Sequence, residues 1–334
     1  MRRVAVLNDY QQVCLASADW SPVLKLAQVD VFTEPFADDD AVVAALAAYE
    51  VLCVMRERTP LARALLERLT NLRCVVTTGA ANRSIDLAAT ADLGIVVSGT
   101  TNGLGRVATA ELTWGLILAV ARSISQEDRA VREGRWQVSV GTPLHGLTLG
   151  IIGLGGVGRY VARYARAFDM EVLAWSRNLT AERALESQAR CVTKEELLRR
   201  SDVVTVHTVL SEETTGLIDA EALAMMKPSA FLVNTSRGPV VREDDLVAAL
   251  REGTIAAAAL DAFDQEPLPA GHPFRGLPNL VLTPHLGYVT HDVYAEFFEE
   301  TVRSTAAYLN GEPIRLLTQG GSPATAVTRR YEDR

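Results

Sequence analysis

Cysteine is scarce in this chain. Four occur among 334 residues, at positions 14, 53, 74 and 191, and no two have the C-x-x-C spacing of a zinc site or redox pair. Cys53 in VLCVM and Cys74 in LRCVV sit inside apolar runs and read as buried thiols rather than ligands or nucleophiles. Positive charge is also short. The formal net charge of −8 argues against broad, nonspecific binding to nucleic acid. No apolar run reaches the roughly 20 residues of a membrane-spanning helix. The first ten residues, MRRVAVLNDY, hold only the short run VAVL before Asn8 and Asp9, which is the pattern of a first strand and not of a signal peptide. No short repeat and no cluster with metal-ligand spacing is present. With 48% hydrophobic and 22% charged residues, the chain has the make-up of a globular protein long enough for two cores. These features predict a cytoplasmic protein without metal, membrane or nucleic-acid partner.

What is present is alternation. RRVAVLND, AQVDVFTE, YEVLCVMRE, LRCVVTTG and LGIVVSG read as five strands, with helical spacing in DDDAVVAALAAY and PLARALLERL between them. ATAELTWGLILAVARSIS predicts one long apolar helix, buried between domains or subunits. Alternation then resumes with strands in LTLGIIG, MEVLAWS, DVVTVHT, AFLVNTS, AAALDAF and LVLTPHL. A last helix, HDVYAEFFEETVRSTAAYLNG, is expected to return to the first domain, and the tail from Gln319 lacks periodicity and is expected to be loose. Strand–helix alternation of this kind builds parallel sheets covered on both faces. The expectation is therefore two α/β units, with the nucleotide motif in the second.

That motif is GLGGVG, residues 153–158. Gly153, Gly155 and Gly158 fit G-x-G-x-x-G between an apolar strand and a helix. The first glycine permits the tight turn, the second lets backbone approach a pyrophosphate, and the third lets helix and strand pack closely. The helix N-terminus then offers unpaired N–H groups to phosphate. Gly156 and Val157 complete the candidate cofactor loop.

Three charged residues end three consecutive predicted strands: Arg237 after AFLVNTS, Glu266 after AAALDAF, and His285 after LVLTP. Ligands of parallel sheets sit at the carboxyl ends of strands. An Arg fork binds a carboxylate and polarises an adjacent carbonyl. A His donates a proton to the oxygen formed when hydride arrives, and a Glu orients the imidazole and favours its charged form. Taken singly, each has a plain structural alternative. Together they describe reversible reduction of a 2-oxo acid.

With these motifs in hand, the chain resembles the D-isomer-specific 2-hydroxyacid dehydrogenases. The resemblance spans about residues 1–316 and rests on GLGGVG, NTSRG, ALDAFDQEP and TPHLG, with 29 residues from Arg237 to Glu266 and 19 more to His285. It implies a Rossmann-type cofactor domain over 101–287 and a flavodoxin-like substrate domain made of 1–100 and 288–334, both doubly wound. It also implies hinge closure over substrate in a cleft and a homodimer. Arg237 is then the substrate anchor, Glu266 the partner of the histidine, and His285 the acid/base. TTGAANRSID resembles the loop whose amides hold the substrate carboxylate, at Gly79, Ala80 and Ala81; Ala81 stands where glycine is common. His207, Thr208 and Val209 resemble the wall beside the adenosine, with Val209 at a usual proline. Thr214, Thr235, Ser236 and Asp261 resemble dinucleotide contacts, Asp261 near the nicotinamide amide. Arg56 and Arg58 face the expected cleft by the same analogy. His145, His272 and His291 match no catalytic position.

One feature departs from the pattern. NAD-preferring members usually carry Asp at the end of the second cofactor-domain strand, where EVLAWSRN has Ser176 and Arg177. Losing the acid removes a repulsion and Arg177 offers a phosphate partner, which leans the expectation toward NADP over NAD. The expected activity is reduction of glyoxylate or hydroxypyruvate. Phosphoglycerate is disfavoured because the chain ends soon after the closing helix. The alternative is a non-catalytic NAD(P)-sensing module of the corepressor type, which can keep the same three polar residues.

Overall fold

The computed structural model describes residues 1–101 and 103–317. The tail from Gln319 lies outside the described residues. Two compact units form: Met1–Gly103 joined by the segment that starts at Thr290, and Leu104–Val289.

The first unit has five parallel strands, β1 (Arg2–Val6), β2 (Ala27–Val31), β3 (Val51–Val54), β4 (Cys74–Thr77) and β5 (Val96–Ser98), in the order 2-1-3-4-5. This is the flavodoxin-like order. β3 and β4 are buried along their whole length, as expected of strands covered on both faces. The helix Asp39–Leu46 starts on the Asp38 side chain, which accepts the Ala41 amide. PLARALLERL forms only one helical turn, Arg63–Leu66, because Leu69 N bonds back to Leu66 O in a tight turn. The closing helix His291–Leu309, capped by Thr290, packs on this unit and brings Thr305 to 3.4 Å from the buried Cys53 thiol.

The second unit has seven parallel strands, β6 (Thr148–Ile152), β7 (Glu171–Trp175), β8 (Arg190–Cys191), β9 (Val203–Val206), β10 (Phe231–Asn234), β11 (Ala257–Leu260) and β12 (Leu280–Leu282). Their order is 12-11-10-9-6-7-8, a Rossmann sheet whose strand order reverses between β6 and β9. Alternate residues feed two cores: Ile152, Val204, Val206 and Leu232 on one face, and Ile151, Val203, Phe231 and Val233 on the other. The long apolar helix is two helices, Gly105–Ala121 and Ile124–Arg132. The break falls at Ser123, whose φ is +52°, and the Ala121 carbonyl is taken by Thr142 N at 2.7 Å instead of by a further turn. No single helix among the described residues is long and apolar enough to cross a membrane.

Candidate active site

β10, β11 and β12 are neighbours, so Arg237, Glu266 and His285 leave the same edge of the sheet. His285 Nδ1 lies 2.6 Å from Glu266 Oε2. The other oxygen, Oε1, accepts the Phe263 amide at 3.0 Å, which fixes the carboxylate on its own loop. Burial alone would raise the Glu266 carboxyl. The His285 bond and charge, the Phe263 amide and the Arg237 charge outweigh it and hold the group below its usual range. Arg237 is half-buried and its Nη1 donates to Ser236 O at 2.8 Å. Asn234 ties this turn at both ends, donating to Arg237 O at 2.9 Å and accepting the Ser236 amide at 2.9 Å.

Asp261 ends β11 almost fully buried and accepts from Thr283 Oγ1, Leu286 N and Gly287 N at 2.6, 2.7 and 2.9 Å. These bonds hold the turn in which His285 takes a φ of +55°. Burial raises the Asp261 carboxyl in spite of them. The His285 ring meets Tyr288 edge-on, with centroids 5.5 Å apart.

The glycine loop sits at the β6/β9 reversal. Gly153 has a φ of +102°, and a Cβ there would lie 2.6 Å from Thr208 N. A Cβ on Gly158 would lie 2.4 Å from Gly153 O, so the helix Gly156–Ala167 can approach β6 only through a glycine. A Cβ on Gly155 would meet nothing within 4 Å, which leaves open space at the first turn of that helix. The three glycines therefore differ as the chemistry of a dinucleotide loop requires, and these residues fit a bound pyrophosphate. Arg106 lies across Gly156.

Around this loop, Ser176 Oγ accepts the Leu154 amide at 2.9 Å. Arg177 is paired with Glu213 at 2.5 Å. The half-buried His207 bonds Thr205 at 2.9 Å, and loss of solvation pushes its imidazole down to about 3, so it is neutral. Ser236 Oγ donates to Thr208 O. Thr214 Oγ1 accepts Ser211 N and donates to Val209 O, both at 2.7 Å, while the Val209 side chain is exposed. Thr235 faces inward, its hydroxyl 2.7 Å from that of Thr113.

In the first unit Gly79 has a φ of +94°, and its amide donates to Thr100 Oγ1 at 2.7 Å. Ala80 and Ala81 are exposed and line an open depression of about 460 Å³ with Asn82 and Arg83. Arg56 packs against Gly79, and Arg58 lies over the Tyr10 ring at 4.6 Å. His145 pairs with Asp169 at 3.3 Å and His272 with Glu243 at 3.1 Å; Glu243 also accepts the Asp264 amide at 3.0 Å.

Residues 114–287 match the family model described as the D-isomer specific 2-hydroxyacid dehydrogenase, NAD binding domain. The glyoxylate reductase of Aeropyrum pernix is 39% identical over 274 residues, 79% of each chain. The chain belongs to the D-isomer specific 2-hydroxyacid dehydrogenase family. The D-3-phosphoglycerate dehydrogenase of Archaeoglobus fulgidus is 36% identical over 80% of this chain and 51% of its own length. The phosphoglycerate oxidoreductase of Vibrio cholerae O395 superposes with a TM-score of 0.88 at 32% identity, covering 93% of this chain and all of that one. A 2-hydroxyacid dehydrogenase of this family is an oxidoreductase that uses a nicotinamide cofactor and small 2-oxo or 2-hydroxy acids. None of these relatives bears a corepressor's name.

For this family member, sequence reasoning passed over Asn234, Glu213 and Thr113. Asn234 carried a signal: an Asn that ends a strand just before Ser-Arg-Gly is placed to bond its own turn. Glu213 and Thr113 carried none, since their partners are 36 and 122 residues away.

Proposed function

We propose that the protein reduces a small 2-oxo acid to the D-2-hydroxy acid, with glyoxylate and hydroxypyruvate as the first candidates. The observation that carries this reading is the 2.6 Å His285–Glu266 pair beside the Arg237 charge. The nicotinamide, when bound, supplies the hydride that the carbonyl carbon accepts. Arg237 grips the substrate carboxylate and polarises the neighbouring carbonyl. The carbonyl oxygen takes the electron pair of the broken π bond and receives its proton from His285 Nε2. Glu266, fixed on Nδ1, orients the ring. Asp261 holds the His285 turn and is assigned to the nicotinamide edge. In the first unit, the loop Gly79–Ala81 is assigned a substrate carboxylate through the Ala80 and Ala81 amides, because Thr100 occupies that of Gly79.

Gly153, Gly155, Gly156, Val157 and Gly158 are assigned the pyrophosphate, and Ser176, Arg177, His207, Thr208, Val209 and Thr214 the adenosine half, with Thr235 and Ser236 supporting the wall from below. NADPH is used at least as well as NADH, because no acid ends β7. The protein acts in the cytoplasm as a homodimer. Ile124, Val131, Trp136 and Val140, all exposed on one stretch of the second unit, support a covered apolar face. Sedimentation of Trp136→Glu checks the dimer.

The test of function is steady-state turnover of glyoxylate, hydroxypyruvate and D-3-phosphoglycerate with each cofactor form. Turnover of either 2-oxo acid, lost in His285→Ala, supports the reading. Turnover of D-3-phosphoglycerate alone, or of none, removes it.

A further inference from the structure

The acid missing from the end of β7 has a counterpart elsewhere in the same unit. We propose that Glu213, in the loop after β9, is the residue that sets the choice between NADPH and NADH, by holding Arg177. This rests on the reading of Ser176 and Arg177 as the adenosine ribose site.

Ser176 is fixed first. Its Oγ accepts the Leu154 amide of the glycine loop at 2.9 Å, which leaves its hydroxyl proton and one lone pair for a ligand. The proton serves a ribose oxygen and a phosphate oxygen alike, and Ser176, being uncharged, neither repels a phosphate nor pairs with one as an ion. Discrimination falls to the charges beside it. Arg177 Nη1 lies 2.5 Å from Glu213 Oε1, and Ser211 Oγ donates to Glu213 Oε2 at 3.3 Å. The Arg177 bond and charge hold the Glu213 carboxyl below its usual range, so it is ionised at neutral pH. Glu213 does not hang on a free loop: Ser211 N bonds Thr214 Oγ1, which bonds Val209 O, and Thr215 Oγ1 bonds Ser211 O at 2.8 Å. The strand end thus presents one guanidinium and one carboxylate of cancelling charge.

Each cofactor meets this pair differently. A ribose 2′-hydroxyl leaves it intact. A 2′-phosphate must draw Arg177 away from Glu213 and then sits near the carboxylate it displaced. Exposed pairs of this kind contribute little to folding, and both side chains here are more than half exposed, at 66% and 61%. The pair therefore acts on selectivity and not on stability. Glu213 restrains the preference for phosphate that Ser176 and Arg177 alone would produce.

The test uses the full-length protein and Glu213→Gln, which keeps the shape and removes the charge. Binding of NADPH and NADH is read from nicotinamide fluorescence, and binding of 2′,5′-ADP and 5′-AMP by calorimetry, at fixed ionic strength because salt weakens exposed phosphate contacts. Glu213→Gln is expected to tighten NADPH relative to NADH by about 10-fold, the lower end for a charge-assisted contact. It should tighten 2′,5′-ADP relative to 5′-AMP by a similar factor. Arg177→Ala added to Glu213→Gln should abolish the gain, which ties the effect to Arg177. Equal affinity ratios in wild type and Glu213→Gln overturn the proposal while leaving the dinucleotide site standing. A wild-type protein that binds none of the four ligands overturns both.

Discussion

Glu266 reaches His285 with one oxygen and its own loop amide, Phe263 N, with the other, at 2.6 and 3.0 Å. The carboxylate is thereby aimed before any ligand arrives, and Nδ1 is the ring atom committed to it. Nε2, on the far edge of the ring, is the atom that the proposed mechanism gives to the substrate. The His285 bond and charge in turn help hold the Glu266 carboxyl below its usual range.

Glu266→Gln should therefore change the pH dependence of stability. The His285 bond and charge, with the Phe263 amide and the Arg237 charge, hold the Glu266 carboxyl below its usual range, so the stability it contributes is present at neutral pH and lost as pH falls through the Glu266 titration. Gln does not titrate, so the variant should be less stable at pH 7 and should lose less on acidification. Its kcat for reduction should fall about 10-fold or more, since the ring loses the partner that orients it. Thermal unfolding from pH 3.5 to 7, with turnover at pH 7, checks this. Midpoints that fall in parallel in the two proteins would separate Glu266 from His285, whatever their distance.

Arg237→Lys keeps the charge and loses the planar fork. Substrate grip and carbonyl polarisation should weaken together, with a fall of about 100-fold or more in kcat/KM, in line with loss of a charged bond of roughly 3 kcal/mol. Saturation kinetics with glyoxylate would show both a raised KM and a lowered kcat. A change in KM alone would limit Arg237 to binding.

Asp261→Asn tests whether the buried carboxylate holds the His285 turn. Two amides and a hydroxyl converge on it, and an Asn offers one acceptor oxygen while turning donors toward donors. The expected cost is about 1–3 kcal/mol of stability, with a fall in kcat because the turn that presents His285 loosens. Denaturant unfolding and turnover measured on the same preparation check this. Unchanged stability would show that the turn stands without Asp261.

The strand ends were legible in the sequence because chemistry and topology point the same way there. Parallel strands buried on both faces read as apolar runs, and NTSRG, DQEP and TPHLG are polar interruptions at the ends of such runs. The glycine loop was legible because each glycine answers a separate backbone demand. Other features were not. The two-residue β8 is too short to show a period. The break at Ser123 depends on Thr142, 19 residues on, capturing the Ala121 carbonyl. Thr235 reads as a loop residue beside the cofactor, yet its hydroxyl bonds Thr113 inside the unit, because side-chain alternation carries past the last ladder residue of β10. Arg177 and Glu213 meet only because β6, between β7 and β9, brings two loops to one edge.

The glycine loop allows a test that separates packing from ligand approach. A methyl on Gly158 lies 2.4 Å from the Gly153 carbonyl oxygen, a backbone atom, so no rotamer can relieve it. Gly158→Ala should push the helix Gly156–Ala167 off β6, at a cost of about 1–3 kcal/mol, and weaken cofactor binding with it. A methyl on Gly155 meets no protein atom within 4 Å. Gly155→Ala should leave the thermal midpoint within about 2 °C of wild type, since it removes no packing. It should still weaken NADH and NADPH about tenfold or more, because the methyl enters the space through which the pyrophosphate approaches backbone. Thermal unfolding with fluorescence titration of each cofactor distinguishes the two positions. If Gly155→Ala binds both cofactors as tightly as wild type, the open space beside Gly155 is not where the pyrophosphate lies.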